Sequence, residues 1–234
     1  MGLKGIVLID GNWFYHSRQA LFNLKNEDGF ELDYARIPSL IADWLSGAFK
    51  EEVEVIKCLY FGVIHINKVN CNSSRQVAFY NFLSKDCNFD VITSELDYKS
   101  EFSISEERAI GLALAASLMK NLNSTDSFDI AAFVCGSADY IPLIQQVNNV
   151  GKKTAIITMH NQKEMQNSSE MLYKDNVTSL LKPIFIDNHV DELRLIRKEQ
   201  VRICKSCGNE ETTTWAGPEF YCSKCRFGYQ RKRF

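Results

Sequence analysis

Several features that would classify this chain of 234 residues at once are missing from it. No apolar run approaches the roughly 20 residues of a membrane-spanning helix, and the N-terminus carries no signal-peptide pattern. No Gly-rich phosphate loop of the P-loop or dinucleotide type is present, and none of the four histidines has metal-ligand spacing. These absences predict a soluble, cytoplasmic protein without a membrane partner, and they disfavour the common nucleotide-binding motifs.

The composition is that of a globular protein, with 45% hydrophobic and 24% charged residues. The length suits one α/β domain of about 190–200 residues and a small appendage. The net charge of −2 is unevenly spread, because residues 201–234 carry seven Lys or Arg and three Glu. A basic tail on an acidic body predicts an anionic partner for the tail, although such clusters are also found as solvated surface.

Apolar segments alternate with segments of helical spacing along most of the chain. The predicted strands lie at 4–9, 53–63, 89–92, 129–135, 153–158 and, as a strand or core anchor, 184–186. The predicted helices lie after residue 12 and at 34–49, 74–85, 103–121, 139–150 and 168–175, the fourth opened by a capping box at Ser103–Glu106. This order predicts an α/β fold with a doubly wound parallel sheet. The expected organisation is a main domain over 1–190, a helical connector over 191–201 and a zinc ribbon with a basic tail over 202–234.

The cysteine spacing near the C-terminus predicts a metal site. Cys204 and Cys207 form one Cys-x-x-Cys pair, and Cys222 and Cys225 form a second pair after 14 intervening residues. Two such pairs present four thiolates tetrahedrally to one Zn²⁺, as in zinc ribbons. Four protein ligands leave no open coordination position, so we expect a structural zinc ion. A redox dithiol is the alternative, but it needs only one pair.

Aromatic and basic residues are interleaved in the same C-terminal segment. Rings that stack on bases and cations that contact phosphates are typical of proteins that bind single-stranded nucleic acid. The candidate nucleic-acid-binding residues are Trp215, Arg226, Tyr229, Arg231, Lys232 and Arg233. The alternative is that a very small domain uses its aromatics as a core and that the basic terminus is only solvated.

Two predicted strands end in small, polar or acidic residues. The first ends in Asp10-Gly11-Asn12 and the fourth in Gly136-Ser137-Ala138-Asp139. Ligands bind doubly wound sheets beyond the carboxyl ends of the strands. If the two strands are neighbours, Asp10 and Asp139 are expected to converge there.

The main domain resembles the NYN family of PIN-like nucleases over roughly residues 4–187. The motifs that carry the resemblance are Ile9–Asn12, Cys135–Tyr140, Pro142–Ile144, Gly151–Thr154 and, in a predicted last helix, Leu172 and Asp175. The resemblance implies RNA cleavage by a water molecule activated by Mg²⁺ or Mn²⁺. It also implies that Asp10 and Asp139 hold this metal ion and that Asn12 accompanies Asp10.

The sequence departs from the family pattern at two acidic positions. Ser137 stands where the family usually has Asp, and Gly111 aligns with a second Asp. Glu107 lies one helical turn before Gly111 and could supply a third acid, while Ser137 could support the metal or a phosphate. The alternative for Glu107 is the ordinary preference for acids in the first turn of a helix.

Two functions are therefore carried forward from the sequence. The first is a metal-dependent ribonuclease with catalytic residues Asp10, Asp139, Asn12, Ser137 and Glu107. The second is a catalytically degenerate NYN domain that binds RNA or a protein partner without cleaving it. A zinc-stabilised assembly subunit that docks through its acidic body is a weaker third interpretation.

Overall fold

The structure is a computed structural model that describes residues 2–25, 31–69, 71–100, 104–124, 127–160, 183–196, 199–214 and 219–230. The chain forms two compact units, Met1–Arg194 and Leu195–Phe234.

The first unit is built on a six-stranded sheet with the order β3-β2-β1-β4-β5-β6, in which every described pair is parallel. The strands are β1 Leu3–Asp10, β2 Val53–Ile66, β3 Asp90–Asp97, β4 Ile130–Val134, β5 Lys153–Thr158 and β6 Ile184–Phe185. This architecture confirms the predicted doubly wound α/β fold. The predicted last strand forms as β6, and Ile186 directly after it is buried, so this segment is also a core anchor.

Helices cover both faces of this sheet. They are α1 Gly11–Lys25, α2 Ile37–Phe49, α3 Ser73–Asp86, α4 Glu106–Leu122 and α5 Ile141–Asn149, with short 3-10 turns at Tyr34–Arg36, Ala138–Tyr140 and Ile186–His189. Val7 and Ile9 of β1 pack in one core with residues of α1, α2 and α3, whereas Ile6 and Leu8 pack in the other with α4 and α5. The continuous apolar run of β1 follows from this burial on both faces.

The start of α4 differs from the sequence prediction. Ser105, rather than Ser103, is the N-cap, and its side chain accepts a hydrogen bond from the Arg108 N–H. Glu106 is therefore the first helical residue instead of the third position of a capping box, and Ser103 lies outside the described residues. At the end of α5, Gly151 has a φ of +79°, which is typical of a glycine that terminates a helix.

The second unit contains an antiparallel hairpin of β7 Gln200–Ile203 and β8 Glu210–Thr213, followed by α6 Ser223–Gln230. The described part of 191–201 forms turns, a bridge at Arg194 and the start of β7, so the expected helical connector is wrong there. The bridge pairs Arg194 with Leu32 inside the first unit, a long-range backbone contact that composition does not reveal. The predicted helix at 168–175, with Leu172 and Asp175, lies outside the described residues.

Across the described ranges, no helix combines the length and the apolar character that crossing a membrane requires.

Candidate active site and four-cysteine cluster

The strand order reverses between β1 and β4. From β1 the chain continues to β2 on one side, while β4 on the other side leads on to β5. The register pairs Ile9 with Val134, so both strands end at the same edge of the sheet. Asp10 closes β1 at this edge, and the Gly136–Asp139 turn follows β4. The two strands are thus neighbours, and the crevice where ligands bind such sheets lies beside Asp10.

Asp10 is the buried acid of this crevice, with 7% of its surface exposed. Its Oδ1 accepts a hydrogen bond from the Trp13 backbone N–H at 3.0 Å, and its Oδ2 accepts one from the Tyr140 hydroxyl at 2.7 Å. Burial raises the pKa of Asp10, and the nearby charge of Glu107 adds to the increase, although the hydrogen bonds oppose it. A nearby positive charge would lower the pKa of this buried carboxyl group and so favour its ionised form.

Close packing fixes the backbone on both sides of Asp10. A Cβ on Gly11 would lie 2.3 Å from the Phe61 carbonyl oxygen, and one on Gly136 would lie 1.9 Å from Trp13 Nε1. The Tyr60 hydroxyl also donates a hydrogen bond to the Gly11 carbonyl at 3.2 Å. Glycine at these two positions therefore allows the two loops to approach the sheet and each other.

We predict that Gly11→Ala lowers the free energy of unfolding by about 3 kcal/mol, because the added methyl group meets a backbone oxygen. Gly47→Ala in α2 is the matched control, since a Cβ there meets nothing within 4 Å. The control should raise stability by about 0.5–1 kcal/mol through helix propensity. Urea unfolding curves of both variants measure the difference, and equal effects would contradict the packing at Gly11.

Two further predicted residues share a groove of about 580 Å³ near Asp10. Asn12 lines it from the start of α1, and Glu107 lines it from the first turn of α4. Gly111, one turn beyond Glu107, faces open space, because a Cβ there would meet nothing within 4 Å. The negative charge of Glu107 is near enough to contribute to the raised pKa of Asp10. The structure therefore brings together Asp10, Asn12 and Glu107.

The two predicted residues after β4 are placed differently. Asp139 is exposed, and its backbone N–H donates to Ser137 Oγ at 3.2 Å, which caps the short turn. The segment after β4 contacts Asp10 through the hydroxyl of Tyr140, the residue that follows Asp139. In the described ranges, carboxylates and histidines form no preassembled group of three that could share a metal ion.

A polar network centred on Glu106 lines the groove and was not predicted from the sequence. Glu106 Oε1 accepts hydrogen bonds from Lys68 Nζ at 2.7 Å and from the Tyr98 hydroxyl at 2.8 Å, and His65 Nε2 lies 2.8 Å away. Partial burial disfavours the charge, but the hydrogen bonds from Lys68, Tyr98 and His65 outweigh it and lower the pKa of Glu106 to about 2. Gln76 Nε2 contacts His65 Nδ1 at 2.8 Å. No sequence spacing signals this network, because its members come from β2, α3, α4 and the segments that follow β2 and β3.

The four cysteines of the second unit converge. All four Sγ atoms lie within 4.8 Å of one another, and those of Cys207 and Cys222 are 3.6 Å apart. Sulfur atoms around a tetrahedral zinc ion are about 3.8 Å apart, given Zn–S bonds of about 2.3 Å. The Cys222 backbone N–H donates to Cys204 Sγ and, with other backbone donors, lowers the pKa of Cys204 to about 6. The cluster is compatible with one zinc ion bound by four thiolates.

The predicted nucleic-acid-binding residues are described only in part. Arg226 Nε donates to the Tyr221 carbonyl at 2.7 Å, and its guanidinium lies 5.7 Å from the Phe220 ring. Arg226 therefore also supports the fold of its own unit. Trp215, Arg231, Lys232 and Arg233 and the side chain of Tyr229 lie outside the described part of the chain.

Comparison with known proteins gives one family. No curated protein and no solved structure gives a significant match to the chain. The model of the NYN domain matches residues 4–180, which is well over half of the chain and includes every element from β1 to β5. The chain belongs to the NYN domain family of PIN-like nucleases.

Proposed function

We propose that this NYN domain is a metal-dependent ribonuclease that cleaves RNA at the crevice beside Asp10. The observation that carries the proposal is the buried carboxylate of Asp10 at the point where the strand order reverses. No lysine or arginine of the described residues forms an ion pair with it. A buried acid without a cationic partner in a ligand-binding crevice is the expected setting of a divalent cation.

The oxygen donors around the crevice suit Mg²⁺ or Mn²⁺. Asp10 and Glu107 offer carboxylates, Asn12 offers an amide oxygen, and Ser137 and Asp139 offer further oxygens at the end of β4. Mg²⁺ is commonly bound by one or two carboxylates and completes its coordination with water and substrate phosphates. A pair such as Asp10 and Glu107 is therefore sufficient without a preassembled group of three acids.

Each residue has a distinct role in this proposal. The bound ion would polarise the phosphate and lower the pKa of a bound water molecule. Asp10, held by Trp13 and Tyr140, supplies a ligand of fixed orientation. Glu107 contributes the second carboxylate, which also serves as a proton acceptor at the groove. Asp139 would supply a further carboxylate to the ion, and Asn12 and Ser137 would support the metal ion or the phosphate.

A second candidate function is RNA binding, or binding of a protein partner, without cleavage. Three observations favour it: Gly111 and Ser137 replace two acids of the family, and the Tyr140 hydroxyl occupies Oδ2 of Asp10. In this case Tyr140 takes the place of the cation as the stabilising partner of the buried carboxylate.

The second unit is proposed to bind one structural zinc ion through Cys204, Cys207, Cys222 and Cys225, and to assist nucleic-acid binding. Its basic side chains, including Arg226, Arg231, Lys232 and Arg233, give the unit a net positive charge suited to RNA phosphates. The zinc ion fixes the fold and takes no part in the reaction.

Calorimetric titration of Mn²⁺ into the zinc-loaded protein, followed by cleavage assays on single-stranded RNA, tests the proposal. We expect saturable Mn²⁺ binding by the wild-type protein and cleavage that requires added Mn²⁺ or Mg²⁺. RNA binding without either metal binding or cleavage would establish the second candidate function and overturn the first.

A further inference from the structure

A larger cleft adjoins the crevice, and apart from Asn12 it is lined by residues to which the catalytic proposal gives no role. It has a volume of about 610 Å³ and lies between the start of α1, the end of β2 and the start of α3. It is termed the α1–α3 cleft here and is represented by Tyr15, Arg18, Lys68, Arg75 and Gln76.

The charges of the α1–α3 cleft are mainly positive. Its described lining includes three cationic side chains, Arg18, Lys68 and Arg75, against one acid, Glu106. Glu106 is already engaged by Lys68 at 2.7 Å. Arg75 is exposed in the first turn of α3, and no acid of the described residues forms an ion pair with it. The cleft therefore retains positive charge that is not neutralised from within.

The backbone adds to this positive potential. The helices α1, α3 and α4 all begin at the cleft, since Asn12, Asn72 and Glu106 of their first turns or caps line it. The N-terminal end of a helix carries a partial positive charge and favours anions. Together with the arginines, the three helix ends make an anionic group the expected ligand.

The cleft also contains an aromatic platform. Tyr15 is 45% exposed, and the guanidinium of Arg18 lies 3.7 Å above its ring. Unpaired bases stack on such rings and on guanidinium planes, whereas paired bases in a duplex present only their edges. A ligand with phosphates and unpaired bases matches the combination of features better than phosphate alone.

The cleft is continuous with the groove of the candidate active site. Asn12, His16, Lys68 and Glu106 line both, and Glu107 lines the groove but not the cleft. A chain of nucleotides held in the cleft would therefore lead directly to the acids around Asp10.

We propose that the α1–α3 cleft binds single-stranded RNA, with Arg75 contacting a phosphate and the Tyr15–Arg18 pair stacking on an unpaired base. This inference rests on the proposed function in taking RNA as the ligand, but it requires no cleavage. It assigns the approach of the substrate to the first unit, independently of the basic C-terminal segment.

Fluorescence anisotropy with a labelled short oligouridylate tests this assignment. The full-length, zinc-loaded protein carries Asp10→Asn so that the RNA is not cut, and divalent metal is omitted. Adding Arg75→Ala should weaken binding by roughly fivefold and reduce the slope of log affinity against log salt by about 0.7. Lys85→Ala is the control, because it removes one positive charge from an exposed position near the other end of α3. Tyr15→Ala should weaken binding by at least roughly fivefold without changing the salt slope.

The outcomes separate this inference from the proposed function. Equal losses for Arg75→Ala and Lys85→Ala, or no binding of the oligouridylate by any protein, would overturn the cleft assignment. Cleavage by wild-type protein with no dependence on Arg75 or Tyr15 would overturn the cleft and leave the nuclease standing. Selective loss with Arg75→Ala and Tyr15→Ala supports the cleft even if the wild-type protein does not cleave RNA.

Discussion

Replacing Asp10 by asparagine is expected to slow RNA cleavage by at least about 100-fold at saturating Mn²⁺. The carboxylate is the buried acid of the crevice, and asparagine keeps its size while removing the charge. Metal ions contribute several kcal/mol to reactions of this kind, and each 1.36 kcal/mol corresponds to a factor of ten in rate. Single-turnover cleavage of a labelled RNA measures the rate, and calorimetry should show that Mn²⁺ binding is lost in parallel.

The same substitution should not weaken the fold, which separates catalysis from stability. Burial raises the pKa of Asp10, so the folded protein holds a proton that the unfolded chain releases near pH 4. The contribution of Asp10 to the free energy of unfolding therefore falls as the pH rises from about 4 through the pKa of Asp10 in the folded protein. Asparagine does not ionise, so the variant does not lose this stability. We expect a melting temperature in metal-free buffer at neutral pH at least equal to that of the wild type.

Asp43→Asn, the same change at an exposed position of α2, is the matched control and should leave cleavage unchanged. Cleavage by Asp10→Asn at close to the wild-type rate would contradict the catalytic assignment. Loss of cleavage together with a strongly lowered melting temperature would instead assign Asp10 a structural role, through its bonds to Trp13 and Tyr140.

The sequence predicts the sheet well because burial on both faces leaves a simple pattern. The apolar run that forms β1 has no polar alternation, and its Ile6 and Leu8 face a different core from Val7 and Ile9. The same reasoning places Asp10 at a strand end beside β4. The parallel fold and the position of the crevice were therefore accessible from local patterns and general rules of topology.

The contacts that define the site were not accessible in this way. Tyr140 donates to Asp10 across 130 positions of sequence, and Lys68, which follows β2, pairs with Glu106 of α4. Such pairs depend on the angle at which helices meet the sheet, which no residue spacing records. The helix expected after residue 190 was mispredicted for a related reason. The charge of this segment favours a helix, whereas residues 190–193 form turns and Arg194 bridges to the distant Leu32.

Removal of zinc is expected to unfold the C-terminal unit while the NYN domain stays folded. A unit of roughly 40 residues lies at the size where domains usually need a metal or disulfides. Its described core contains Phe220 and the buried cysteines Cys204 and Cys222, with Cys225 packed against them. The hairpin has only four residues in each strand, too few to persist alone. Zinc binding supplies about 10–16 kcal/mol to such domains at neutral pH, so the thiolates provide what the core lacks.

Metal analysis and NMR spectroscopy test this expectation directly. The wild-type protein should contain one zinc ion per chain, and Cys204→Ser should lose it and narrow the amide dispersion of residues after 195 alone. Trypsin should then cut quickly after Lys205 and Lys224, whereas cleavage within the described strands and helices of the first unit stays slow. Cys71→Ser removes a thiol outside the cluster and should retain one zinc ion. A zinc-free protein whose C-terminal amide resonances stay dispersed would show that the hairpin and α6 are stable without the metal, and the four thiols would then need another explanation.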